Sequence, residues 1–152
     1  MYEIWTDGAC EPNPGMGGWG YVMHDPMGVV SEVCCGELET TNNRMELTAI
    51  LMAMRALPGG ATATVYSDSQ YCVNGLTIWR KNWMKRDWRR KSGEAMPNRD
   101  LWLDLESEMK RVKVLFRWVR GHSGNAGNER ADWLSSIGRI NAMNAQTARG
   151  IA

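Results

Sequence analysis

The 152-residue chain contains no run of about 18 uninterrupted apolar residues, so none of its segments is expected to cross a membrane as a helix. Glu3 and Asp7 break up the apolar residues at its start, which argues against a secretory leader and makes a soluble, cytoplasmic protein the expectation. CxxC pairs are also missing. The four cysteines, Cys10, Cys34, Cys35 and Cys72, include one directly adjacent pair, a spacing unsuited to zinc, and are read as reduced thiols. Internal repeats and low-complexity segments are lacking too. The formal net charge is only +1, so any evidence for a nucleic-acid partner must come from where the charges lie rather than from their total.

What is present suffices for one domain with its own core, since 43% of the residues are hydrophobic. Charge is concentrated in one short stretch, where Arg80, Lys81, Lys85, Arg86, Arg89, Arg90 and Lys91 are opposed by Asp87 alone, a local charge of +6. Such a run is ordinarily a solvated helix face. Trp79, Trp83 and Trp88, interleaved with these cations, weaken that reading. The eleven methionines are scattered and read as core filler.

Hydrophobic periodicity predicts strands over 2–9, around Trp19, Tyr21 and Met23, and near 29–35, joined by short turn-rich links as in an antiparallel meander. Leu47, Ile50, Leu51, Met54 and Leu57 then mark an amphipathic helix from about Asn43, which Pro58-Gly59-Gly60 stops. A strand over 62–67, helix to about 87, a polar loop to Pro97, helix over 98–110, a strand over 112–119 and a closing helix over 129–140 follow. Beyond it the small and polar tail is expected to fray. This order implies an α/β domain with a five-stranded mixed sheet, its first three strands antiparallel and the later ones joining in parallel.

Two acids leave apolar strands, Asp7 in Trp5-Thr6-Asp7-Gly8 and Asp68 in Ser67-Asp68-Ser69. On neighbouring strands their carboxylates converge and repel unless a proton or a cation lies between them, and a hard, oxygen-seeking cation such as Mg²⁺ suits that group. Asp68 could instead cap the next helix. Glu46, three residues after Asn43, fits a capping box, although the same position lets it reach the sheet edge. Asp132, early in the last helix, is favoured there by the helix dipole whatever its role. His122 lies in a glycine-rich loop leading toward Asp132, where a mobile imidazole could relay protons near neutral pH.

In order, Thr6-Asp7-Gly8-Ala9-Cys10, Thr41-Asn42-Asn43-Arg44-Met45-Glu46, Ser67-Asp68-Ser69-Gln70, Gly121-His122 and Asn128-Glu129-Arg130-Ala131-Asp132 resemble type 1 ribonuclease H over nearly the whole chain. The resemblance implies a ribonuclease H-like fold over 1–141, with a basic handle at about 78–97 and a frayed tail over 142–152. It implies an endonuclease that cuts the RNA strand of RNA–DNA hybrids, leaving 5′-phosphate and 3′-hydroxyl ends. Asp7, Glu46, Asp68 and Asp132 would hold two Mg²⁺ ions about 3.5 to 4 Å apart, with Mn²⁺ able to substitute, and His122 would assist. Cys10, Asn13, Asn42, Asn43 and Gln70 would line the minor groove, with Glu46 also touching the 2′-hydroxyl that distinguishes the strands. Thr41 and Asn82 look like the residues of a DNA-phosphate pocket, Trp79 like the aromatic beside the deoxyribose. Lys85, Arg86, Arg89 and Arg90 belong to a handle that grips without reading sequence. Glu39 departs from relatives that carry a basic residue beside that pocket. Primer removal or hybrid clearance is the duty the resemblance implies, and a monomer without membrane contact is expected because the sequence shows neither an extra apolar face nor a membrane-spanning run. Against it stand a hybrid-binding module without activity, which would not need the four acids, and a junction resolvase or integrase core, which would have no use for the Asn42-Asn43-Arg44 set.

Overall fold

A computed structural model describes residues 1–148. Five strands, β1 (Tyr2–Cys10), β2 (Gly15–His24), β3 (Val30–Thr40), β4 (Thr62–Ser67) and β5 (Lys113–Trp118), form one sheet in the order β3-β2-β1-β4-β5. The first three pair antiparallel, and β4 and β5 join in parallel, as the sequence predicts. Helix α1 (Asn42–Arg55) covers one face and α5 (Ala126–Ala148) the other. Between β4 and β5 run α2 (Gln70–Asn74), a π-helical turn (Gly75–Trp79), α3 (Arg80–Lys85) and α4 (Arg99–Met109).

The predicted α1 stripe is the centre of the core, with Leu47, Ile50, Leu51, Met54 and Leu57 all buried against Ile4, Trp19, Tyr21, Met23 and Val65 of the sheet. The methionines only partly bear out the core-filler reading. Met23, Met45 and Met54 are buried, but Met1, Met27, Met84 and Met143 are exposed.

Close backbone approach sets the two helix positions that matter for function. A Cβ on Gly8 would collide with the backbone of Met45 and Glu46, so the bare glycine lets the first turns of α1 press against β1 beside Asp7. On the other face Gly36 of β3 and Gly138 of α5 meet backbone to backbone, and neither position has room for a Cβ.

Three boundaries differ from expectation. Strand β3 runs to Thr40 rather than ending near 35, because pairing with β2 carries it through polar, mostly exposed residues that show no apolar alternation. The helix predicted to about 87 is interrupted by the π turn, where Gly75 packs directly under the Trp102 and Trp83 rings. The closing helix begins at Ala126 and continues to Ala148, so the expected fraying from residue 142 does not hold through 148, where Ala142 and Ala145 line a groove against Cys35 and Leu38 of β3. Residues 149–152 of that tail lie outside the described residues. No described helix is long and apolar enough to cross a membrane.

Candidate active site

Parallel pairing of Thr6 with Ser67 places the next residues of the two strands, Asp7 and Asp68, side by side. The start of α1 adds Glu46, and one ligand oxygen from each of Asp7, Glu46 and Asp68 lies within 4.8 Å of the others. These three, with Asn42, Asn43, His122 and Asp132, line a polar cleft of about 310 Å³. Asp132 stands beside Asp7 without joining the tight three-oxygen group.

Glu46 is not part of a capping box. The N-cap of α1 is Thr41, whose Oγ1 accepts from the Arg44 amide, so Asn43 is already helical and has no cap role. The Glu46 carboxylate instead accepts from the Gly8 amide of β1 at 2.5 Å, which holds it over the strand that carries Asp7. Asp68 does not cap either, because Ser69 does so for α2 through the Cys72 amide. Both carboxylates are thus free of the structural duties their positions allowed.

Asp68 is fixed by two residues that sequence reasoning did not single out. The Asn128 side-chain amide donates to its Oδ2 at 3.3 Å, and the Trp118 indole donates to its backbone carbonyl at 3.0 Å. Asn128 is itself buried, at the start of α5, where Asn125 caps the helix by accepting from its amide. A signal existed, since Asn128 lies four residues before Asp132 and so on the same helix face, but only the fold points it at Asp68.

The cluster is electrostatically unbalanced as it stands. Burial pushes the Asp7 carboxyl up to about 7, and the Asp68 and Asp132 charges add to the rise while a hydrogen bond with Glu46 opposes it. Burial likewise raises the Glu46 carboxyl well above the ordinary range, with repulsion from Asp7 next in importance. Among the described residues no lysine or arginine pairs with Asp7, Glu46 or Asp68. A convergent all-oxygen donor set, short of positive charge and open to a cleft, fits a hard divalent cation.

The sequence profile of the RNase H family matches residues 1–139. Among curated proteins, the ribonuclease H of Hahella chejuensis is 48% identical over 141 residues, which cover 93% of this chain and 95% of that protein. The ribonuclease H of Pseudomonas entomophila is 47% identical over 144 residues, covering 95% of this chain and 96% of that one. The chain belongs to the RNase H family. Among solved structures, LC9-RNase H1, described as a type 1 RNase H with the type 2 active-site motif, superposes with a TM-score of 0.83 at 32% identity, covering 93% of this chain and 72% of that one. The family resemblance read from the motifs therefore stands, and with it the assignment of the chain as a ribonuclease H enzyme.

The other residues that the RNase H resemblance singles out fall in different places. Asn42 is committed through Oδ1 to the Cys10 amide at 2.6 Å, and its own amide donates to Asn13 Oδ1, so this first turn and the start of α1 form one unit. The Cys10 thiol does not face the cleft. It is buried and turned toward the carbonyls of Pro12 and Thr40. Gln70 is exposed at the start of α2. Glu39 is exposed and lines a shallow pocket with Pro14, Gly15 and Thr40.

On the handle, Lys85, Arg86, Arg89 and Arg90 are exposed, as is Asn82, and Trp79 is 40% exposed. Two of the three interleaved tryptophans are packing residues. Trp88 is buried, stacked on Trp102 of α4 with centroids 5.6 Å apart, and Trp83 packs edge-on to the same ring at 5.2 Å. They form the platform on which the cations stand, and Trp79 is the most exposed of the three, with Trp83 half-buried.

Proposed function

We propose that this ribonuclease H is an endonuclease that hydrolyses the RNA strand of RNA–DNA hybrids with two Mg²⁺ ions, leaving 5′-phosphate and 3′-hydroxyl ends. The observation that carries the reading is the cluster of buried Asp7 and Glu46 with half-buried Asp68, which has no basic partner among the described residues. These three and Asp132 would hold the ions, and Mn²⁺ has the same preference for oxygen ligands. When bound, the ions supply an acidified water and stabilise the charge that develops on the leaving oxygen.

The chain's own residues do the rest. Gly8 holds Glu46, and Asn128 and Trp118 hold Asp68, so these contacts would orient the two carboxylates toward the ions. Water gives up a proton to solvent as its oxygen bonds to phosphorus, the bond from phosphorus to the 3′ oxygen breaks, and the 3′ oxygen takes up a proton. His122, exposed at positive φ and lining the cleft, would exchange protons with solvent during this transfer. Asn42 uses its oxygen on Cys10, which leaves its NH₂ to donate to a 2′-hydroxyl, and Asn43 lines the cleft beside it. Cys10 would contribute backbone rather than thiol. Asn13, Gln70, Thr41, Asn82, Trp79 and the handle cations Lys85, Arg86, Arg89 and Arg90 would hold the two backbones, with a monomer in the cytoplasm as the working unit over 1–141.

The test is cleavage of matched RNA–DNA, RNA–RNA and DNA–DNA duplexes, each with and without Mg²⁺. Cutting of the hybrid alone, in its RNA strand and only with metal, is expected. A hybrid that is bound but left intact in both Mg²⁺ and Mn²⁺ overturns the catalytic reading, and cleavage of duplex DNA overturns the substrate assignment.

A further inference from the structure

The basic segment contains a single acid, and the backbone there is strained. Asp87 and Trp88 occupy consecutive left-handed positions, at φ +52° and +55°, and neither is a glycine. Burial of the Trp88 ring on Trp102 accounts for Trp88. Asp87 has no such reason, since its side chain is 70% exposed.

What Asp87 does have is a set of contacts to two arginines. The Arg99 Nε donates to its carbonyl oxygen at 3.1 Å and the Arg99 Nη2 to its Oδ1 at 3.2 Å. The Arg89 Nε lies 3.5 Å from its other carboxylate oxygen. Arg99 is the first residue of α4, whereas Arg89 continues the basic turn toward Arg90. One residue therefore ties the turn to α4 and holds an arginine of the binding surface at the same time.

We propose that Asp87 is a positioning residue for the nucleic-acid grip: braced by Arg99, it fixes the basic turn on α4 and aims Arg89, so that an acid inside a cationic surface strengthens that surface's hold on a polyanion. The proposal rests on the hybrid-binding function given above. Charge alone predicts the reverse, because removing the one acid from a segment of net charge +6 should tighten binding to phosphates. The brace acts by reducing the ordering that the turn and Arg89 would otherwise undergo on binding. An exposed ion pair contributes modestly, so the effect is small in size and decided by its sign.

Asp87→Asn and Asp87→Gly separate the two accounts. Asn tolerates the left-handed backbone and Gly relaxes it, while both remove the carboxylate. Anisotropy of a labelled RNA–DNA hybrid in EDTA and steady-state cleavage in Mg²⁺ should show Kd and KM raised about two- to fourfold in both variants, with kcat unchanged. In an Arg99→Gln background neither substitution should weaken binding further. If either variant binds as tightly as the wild type or more tightly, or loses kcat with KM unchanged, the brace is wrong. A wild-type protein that fails to bind the hybrid at all would instead remove the function on which the proposal rests.

Discussion

Asp7 and Glu46 are 6% and 8% exposed and sit where two strands and a helix meet, whereas Lys85, Arg86, Arg89 and Arg90 stand in solvent on a short helix and the turn after it. The acidic group is placed by backbone. Strand register, the Gly8 amide and the Asn128 amide determine where each carboxylate oxygen lies. The basic group is placed by a platform of tryptophans and by ion pairs that water screens. Few, buried, like charges at fixed positions suit chemistry at one atom, while many exposed charges of one sign suit adhesion along a backbone. Single substitutions should accordingly be decisive at the acidic end and weak at the basic end.

The largest effect expected is at the strand ends. Asp7→Asn or Asp68→Asn should lower kcat by on the order of a thousandfold or more, since several kcal/mol of metal-derived stabilisation is lost, yet leave the hybrid Kd nearly as it was. Single-turnover cleavage alongside binding in EDTA measures both, and a variant with near-normal turnover would take that residue out of the site. His122→Ala comes next, with an expected loss of about a hundredfold and the ions still held. Inactivity as complete as that of Asp7→Asn in a folded His122→Ala protein would give the imidazole a larger part than proton exchange.

How much of this contrast is legible in the sequence depends on how local its causes are. The α1 stripe and β4 follow from apolar spacing alone, and Asp7 and Asp68 are conspicuous because charges emerge there from apolar strands. Glu46 is ambiguous since Thr41, Asn42 and Asn43 are all able to cap, and which one does so decides whether its carboxylate reaches back or across. Asn128 and Trp118 become partners of Asp68 only once α5 and β5 dock beside β4, which no local pattern encodes. The handle tryptophans mislead for the same reason. Trp83 and Trp88 sit among cations in the sequence, but their neighbour in space is Trp102, contributed by a helix beyond the polar loop.

Charge on the handle should be additive and shallow. Replacing Lys85, Arg86, Arg89 and Arg90 together with glutamine should weaken hybrid binding about tenfold or more at moderate salt and flatten the plot of log Kd against log salt by up to about 0.9 for each phosphate that is no longer neutralised. Any one of the four alone should change Kd only a few-fold. If one of them proves as damaging as all four, the handle is a specific site and the contrast with the cleft disappears; an unchanged slope would return the segment to an ordinary wet surface.

The smallest expected effect concerns stability and distinguishes the regions without substrate. The Asp7 carboxyl, raised by burial from its ordinary 3.8 to about 7, holds its proton in the folded state where the unfolded chain has released it. Between those values the folded protein binds more protons than the unfolded one, so metal-free stability falls as the pH rises through that window. Glu46, raised by the same burial, adds to the fall. Thermal melts in EDTA from pH 4 to 8 should therefore show declining stability, and Asp7→Asn, which removes both a buried charge and its repulsion, should flatten the decline and raise the melting temperature near neutral pH. Mg²⁺ should restore the wild type at pH 7 by mass action and do much less for the Asn variant. The handle variants should share the wild-type pH dependence, because their charges are solvated in both states. A wild-type melting temperature that rises from pH 4 to 7 in EDTA would mean that other groups outweigh the cluster, and that the acids are not held against their own repulsion as the structure implies.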